Sequence, residues 1–151
     1  MPPFDDIDRH LLALLQEDST RTLASLGTIV GLSPSAVKRR IDRYHATGVI
    51  TRTVAVLDPR ASLIAICTVT LDRESPAAHQ EFRAHALANP HVQQLYNVSG
   101  DADYVVVLAT TGMEQHREVA DRVLKSAPNI RRYTTMFALD PVRTTLVLPA
   151  D

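Results

Sequence analysis

Residues 29–48 read IVGLSPSAVKRRIDRYHATG, and the punctuation inside this stretch decides the fold of the N-terminal third. Gly31 is a residue that can turn left-handed and stop a helix. Ser33 is a good N-cap and Pro34 suits the first helical position, so a new helix starts there and runs to Thr47, where Gly48 ends it. At about 100° per residue, Val37, Ile41 and Tyr44 fall on one side of this helix. Ser35, Ala36, Arg39 and Arg43 fall on the other, flanked by Arg40. The helix therefore has an apolar back and a basic front.

Upstream, residues 22–30 form a short helical stretch with Leu26, Ile29 and Val30 facing inward. Residues 5–17 place Ile7, Leu11, Leu14 and Leu15 on one face of an amphipathic helix, and Asp5, Asp6 and Asp8 favour its N-terminus through the helix dipole. Two helices joined by a glycine-containing turn, the second with a basic front, describe a helix-turn-helix whose second helix enters the major groove of double-stranded DNA. A cluster such as Lys38-Arg39-Arg40 is by itself most often a solvated helix face. On this helix, opposite its apolar stripe, Lys38, Arg39, Arg40 and Arg43 can reach guanine edges or phosphates. Ser33, Ser35 and Ala36 near the helix start join the candidate contacts, and Arg52 just beyond it is placed to hold a backbone phosphate. Charge follows this division. Residues 33–52 carry five basic side chains against Asp42, a local +4 in a chain whose formal total is −1. A positive stripe on a mildly acidic body suits DNA binding at one face.

Ile50–Leu57 is β-branched and reads as a linker strand, making the helix-turn-helix a winged one; Asp58-Pro59-Arg60 closes it with a turn. From residue 63 the period changes to two: a strand over 63–71, a helix from the Ser75-Pro76 cap to about Ala88, and a strand over 92–98. A turn at Ser99-Gly100-Asp101-Ala102 leads to a strand over 104–109, followed by a helix over 112–126 and a last strand over 130–139. The order β-α-β-β-α-β is ferredoxin-like, with two helices on one face of an antiparallel sheet. The fold class is α+β, divided into residues 1–50, a linker at 51–61, and 62–151.

The 151 residues are 45% hydrophobic and 22% charged, which excludes disordered and collagen-like classes. A piece of about 60 residues is marginal alone, so mutual support or a second subunit is expected. No apolar run approaches the ~20 residues of a membrane span, and the acidic start is unlike a signal peptide, which predicts a cytoplasmic protein. Cys67, the single cysteine, allows no intrachain disulfide or thiolate cluster. The six histidines form no zinc spacing, no serine stands in a GxSxG context, and no GxGxxG or phosphate loop occurs. Asp101 and Asp103 read first as ordinary turn chemistry. An enzyme using them as acid and base lacks any accompanying nucleophile, metal set or cofactor motif, so no enzymatic activity and no cofactor are expected.

The sequence resembles the Lrp/AsnC (leucine-responsive, feast/famine) transcription regulators over nearly its whole length. The resemblance is carried by Asp5-Asp6-Ile7-Asp8, Arg21, Val30-Gly31-Leu32-Ser33-Pro34-Ser35 with Arg39-Arg40, Gly48-Val49-Ile50, Leu57-Asp58-Pro59, and Val98-Ser99-Gly100-Asp101-Ala102-Asp103-Tyr104. It implies an N-terminal DNA-binding domain and a C-terminal sensor domain that dimerises through its sheets. Such homodimers assemble further, to tetramers or octamers, and bind a small effector, usually an amino acid, between sensor domains. Carried onto this chain, the effector contacts are Gly100, Asp101, Asp103 and Tyr104 on the hairpin, Thr110 and Thr111 after it, and Thr135 on the last strand. A carboxylate such as Asp103 can pair with an α-ammonium, while amides and threonine hydroxyls donate to the α-carboxylate. Gly27, Leu23, Tyr44-His45 and Ser62 depart from the family pattern; Gly27 alone costs about 1 kcal/mol of helix propensity. The expectation is a sequence-specific regulator tuned by an effector, the alternative an effector-independent architectural protein that wraps DNA.

Overall fold

The computed structural model describes residues 4–149. The chain forms two compact units, one running up to Val56 and joined by the segment from Thr145 onward, the other spanning Leu57–Thr144.

The first unit holds α1 (Asp6–Glu17), α2 (Leu23–Val30) and α3 (Pro34–Ala46). Asp5 caps α1 with a reciprocal box: its carboxylate accepts from the Asp8 amide at 2.7 Å and its own amide donates to Asp8 Oδ2 at 3.2 Å. Thr22 caps α2, and Gly31 ends it at φ 70°. Ser33 caps α3 ahead of Pro34. Leu11, Leu26, Val37 and Tyr44 are fully buried, with Phe4, Ile7, Leu15, Val30 and Ile41 packed around them. Gly27 has a steric reason here. A Cβ on it would lie 2.4 Å from the Leu32 carbonyl oxygen, and the Leu32 amide donates to the Gly27 carbonyl at 2.9 Å. The turn into α3 thus closes directly against α2. Farther along the chain, Leu148 exchanges two hydrogen bonds with the Gln16 side-chain amide, at 2.7 and 3.1 Å.

Residues 51–58 form no strand. The linker strand expected from their β-branched sequence is corrected: an extended segment becomes a strand only by pairing, and these residues have no ladder partner among the described residues. No strand pairing therefore builds a wing behind α3. Val54, Val56 and Leu57 are exposed.

The second unit follows the expected order: β1 (Leu63–Leu71), α4 (Pro76–Leu87), β2 (Val92–Asn97), β3 (Tyr104–Thr110), α5 (Met113–Ala120) and β4 (Ile130–Phe137). The helix expected over 112–126 continues past α5 as a wider turn, with the Ser126 amide donating to the Asp121 carbonyl at 2.9 Å. The sheet order is β2-β3-β1-β4, antiparallel throughout. Period-two alternation buries Ala65, Cys67, Val69 and Leu71 of β1 with Tyr104, Val106 and Leu108 of β3 against Phe82, Ala86, Val119, Val123 and Leu124 of the helical layer. The opposite sheet face carries Ile64, Ile66, Val105, Val107 and Met136, none fully buried. Among the described residues no helix is long and apolar enough to cross a membrane.

Candidate nucleic-acid interface and effector site

Each unit carries one candidate site. In the first, the cap at Ser33 and the buried anchors Val37 and Tyr44 fix the rotation of α3, which turns its basic front outward. Ser33 and Ser35 are exposed with their hydroxyl oxygens 3.1 Å apart. Leu32, Ala36, Arg39, Arg40 and Arg43 line an open recess of about 380 Å³. Arg39 is exposed and has no hydrogen-bond or ion-pair partner among the described residues. Lys38 pairs with Asp42 one turn on, at 2.7 Å. Arg52 is exposed on the unpaired linker.

Arg40 and Arg43 are engaged inside the protein. The Asp8 side chain is only 3% exposed, and its Oδ1 accepts from Arg40 Nη1 at 2.5 Å, Arg43 Nη2 at 2.6 Å and the Tyr44 hydroxyl at 2.5 Å. Arg40 Nη1 also reaches Asp5 Oδ1 at 2.9 Å. Burial alone would raise the Asp8 pKa, but hydrogen bonds from Tyr44 and Arg40 hold the carboxyl well below the usual carboxylate range. Burial and the neighbouring Asp8 push the Tyr44 phenol up, and Asp8 likewise raises the already high Arg40. The sequence reading placed Asp8 only at the helix dipole. Its spacing from Leu11 and Leu15 marks it as an acid on the buried face of α1.

In the second unit, the hairpin between β2 and β3 turns at Gly100, whose φ of 122° suits glycine. Asp103 locks this hairpin onto β1: its amide donates to the Val69 carbonyl at 2.9 Å, and its Oδ2 accepts from the Leu71 amide at 2.7 Å. The Asn97 side chain donates to the Asp103 carbonyl at 2.8 Å. The Asp101 side chain is exposed, and its carbonyl accepts from Thr70 Oγ1 at 3.4 Å. Tyr104 points into the core, against Phe82 and 2.8 Å from His79 Nδ1, so its ring is not on the hairpin surface. Thr110 is buried and donates to the Leu63 carbonyl at 3.3 Å. Thr111 is exposed, with both its amide and hydroxyl on Gln115 Oε1. Thr135 lies midway along the edge strand β4, opposite Cys67 and 3.5 Å from its Sγ.

These residues do not converge within one chain. Tyr104 pairs with Val69 and Thr110 with Leu63, so the hairpin and the two threonines stand at opposite ends of β1. Six strand steps at about 3.3 Å separate them by roughly 20 Å.

A helix-turn-helix with an exposed basic front, followed by a β-α-β-β-α-β unit, is the construction of a DNA-binding transcriptional regulator with an appended ligand-binding domain. Residues 4–45 match the AsnC-type helix-turn-helix domain and residues 64–148 the Lrp/AsnC ligand binding domain. The chain belongs to the Lrp/AsnC family. It is 29% identical to the DNA-binding transcriptional activator DecR of Escherichia coli over 97% of this chain and 99% of that one. An AsnC family transcriptional regulator from Agrobacterium tumefaciens superposes with a TM-score of 0.89 at 31% identity, over 97% of both chains. A transcriptional regulator from Neisseria meningitidis, solved as a complex with L-Met, superposes with a TM-score of 0.88 at 27% identity, again over 97% of both chains.

Proposed function

We propose that this regulator is a cytoplasmic homo-oligomer that reads double-stranded DNA through α3 and is tuned by an amino acid bound between copies of its second unit. Ser33, Ser35, Ala36, Lys38, Arg39 and Arg43 meet DNA from α3, and Arg52 holds a phosphate from the linker. Residues 1–50 are the DNA-binding head, 51–61 the linker, and 62 onward the effector-binding and assembly region. The reading involves no catalytic step.

The observation that carries the effector half is the separation of the hairpin from Thr110 and Thr111 along β1. A site using both ends must take Gly100, Asp101 and Asp103 from one copy and the threonines from another. The uncovered apolar sheet face at Ile64, Ile66, Val105, Val107 and Met136 supports pairing of copies. Tyr104 contributes through its backbone, since its ring is in the core, and Thr135 acts from beneath the sheet. The Neisseria relative's L-Met makes an amino acid the favoured ligand class.

A thermal-shift screen of the purified protein against the twenty amino acids tests the reading, because a ligand at 100 times its Kd adds about 2.7 kcal/mol per site. An upward shift with one or a few, abolished in D101N and accompanied by a change in mass by light scattering, is expected. A flat screen on folded, DNA-binding protein favours the architectural alternative.

A further inference from the structure

The Asp8 cluster bears on which basic residues of α3 meet DNA, an inference that rests on the DNA-reading role proposed above. A guanidinium offers five N–H donors in a rigid fork and no acceptor. Arg40 is 23% exposed and gives Nη1 to two carboxylates, while Arg43 is 45% exposed and gives only Nη2 to one. Each arginine uses a single guanidinium nitrogen among the described residues, so the difference between them is the second carboxylate on Arg40 and the greater exposure of Arg43, whose guanidinium is steadied over the Tyr44 ring, 5.6 Å from its centre. For Arg40 to reach a phosphate it would have to leave Asp8, whose burial makes the loss of a neutralising cation costly. No such exchange is needed at Arg39, which has no partner among the described residues. Lys38 leaves Asp42 readily, since an exposed pair is worth little.

We propose that Asp8 is the positioning residue of the DNA-reading face: at the recess that Arg39, Arg40 and Arg43 all line, it shares Nη1 of Arg40 with Asp5 and so keeps that side chain on the protein, while it holds the more exposed Arg43 toward DNA. Base reading then rests on Arg39 and Arg43, and Arg40 serves the fold. Asp8 also keeps two cations from adding sequence-blind phosphate binding, so it raises the preference for the correct site as well as shaping the helix.

The test compares full-length wild type, R39M, R40M and D8N. Each is titrated into the duplex that wild type enriches from a random-sequence pool and into a scrambled duplex, over a series of KCl concentrations, with Tm measured in parallel. R40M lowers Tm but leaves the slope of log Kd against log salt as in wild type. R39M flattens that slope by about 0.9, one phosphate-equivalent, or narrows the preference for the enriched duplex by about tenfold or more. D8N steepens the slope on both duplexes by about 0.9 for each cation released and narrows the preference. The preference cancels the folded fraction, and slopes are compared only over KCl concentrations at which the Tm shows each variant fully folded, so lost stability alone moves neither. An R40M slope flattened by about 0.9, or a folded D8N with wild-type slope and preference, overturns the proposal while DNA reading stands. A wild type that prefers no duplex overturns both. Should D8N fail to fold, R40M against R39M decides.

Discussion

Both units bury one tyrosine at the centre of a core, and the partner of each hydroxyl differs. Tyr44 donates to the Asp8 carboxylate at 2.5 Å within a cluster that also holds two arginines, whereas Tyr104 sits 2.8 Å from a histidine ring nitrogen. The apolar surroundings differ in the opposite sense. Among the described residues the first unit has four fully buried apolar side chains and the second a cluster of thirteen buried ones. A three-helix unit of this size buries too little apolar surface to be more than marginal alone. A charged cluster supplements it and ties its stability to Arg40 and Arg43 on the basic front of α3. The larger unit rests on packing, and its outer sheet face, at Ile64, Ile66, Val105, Val107 and Met136, is left without full burial.

The largest expected effect lies in the larger core. Phe82 is fully buried against Tyr104 at 4.8 Å between ring centres, so F82A should cost about 4 kcal/mol. Hydrogen exchange read by mass spectrometry should show the loss throughout β1–β4. Next comes D8A, at about 3 kcal/mol, toward the low end for breaking a buried pair because both guanidinia keep some solvent. Its exchange loss should fall on α1 and α3. If D8A costs less than 1 kcal/mol, the first unit is held by its small apolar core after all and the contrast fails.

Acid separates the units by window. The Asp8 carboxyl lies below its usual range in the fold, so its contribution is complete above the ordinary carboxylate value of about 3.9 and is lost as pH falls further. His116 is 5% exposed, with Nδ1 buried and unpartnered among the described residues, and packs edge-on to Phe137. Burial lowers its pKa, so the fold favours the neutral ring. The unfolded chain then binds the extra proton, and stability is intact above about pH 6.5 and erodes below it. Between pH 7 and 5, protection relative to the intrinsic exchange rate at each pH should fall around α5 and β4 and stay level in α1 and α3. H116L should remove that dependence; an unchanged profile would locate it in another histidine.

Much of this contrast was legible in the chain. Ser33-Pro34 and Ser75-Pro76 are local signals, read correctly because caps act within one turn, and β1 fell where the change of period placed it. What escaped needed a partner. The linker has strand composition but no neighbour to pair with, and β propensity expresses itself only against one. Asp8 resembled a dipole residue until α3 supplied two arginines and a phenol. Tyr104, grouped with the hairpin by its place in the motif, belongs by alternation with Val106 and Leu108 on the helix side of β3, a signal that was present and outweighed by the resemblance.

The finest test compares the two hydroxyls themselves. Y44F removes a donor from a buried, charged acceptor, where one hydrogen bond is worth about 1.5–3 kcal/mol and its loss leaves a carboxylate lone pair without water. Arg40 and Arg43 remain on the same oxygen, which places the expected cost near 2 kcal/mol. Y104F removes a contact to a half-buried ring that water can partly replace, and should cost about 1 kcal/mol. Because each change deletes one oxygen from the same residue type at full burial, apolar transfer cancels in the comparison. Urea titration of each variant, followed by exchange in its own unit, reads the difference directly. Equal costs would mean that the charge on Asp8 adds nothing to the bond it receives, and the Asp8 cluster would then be an ordinary polar contact that happens to include arginines.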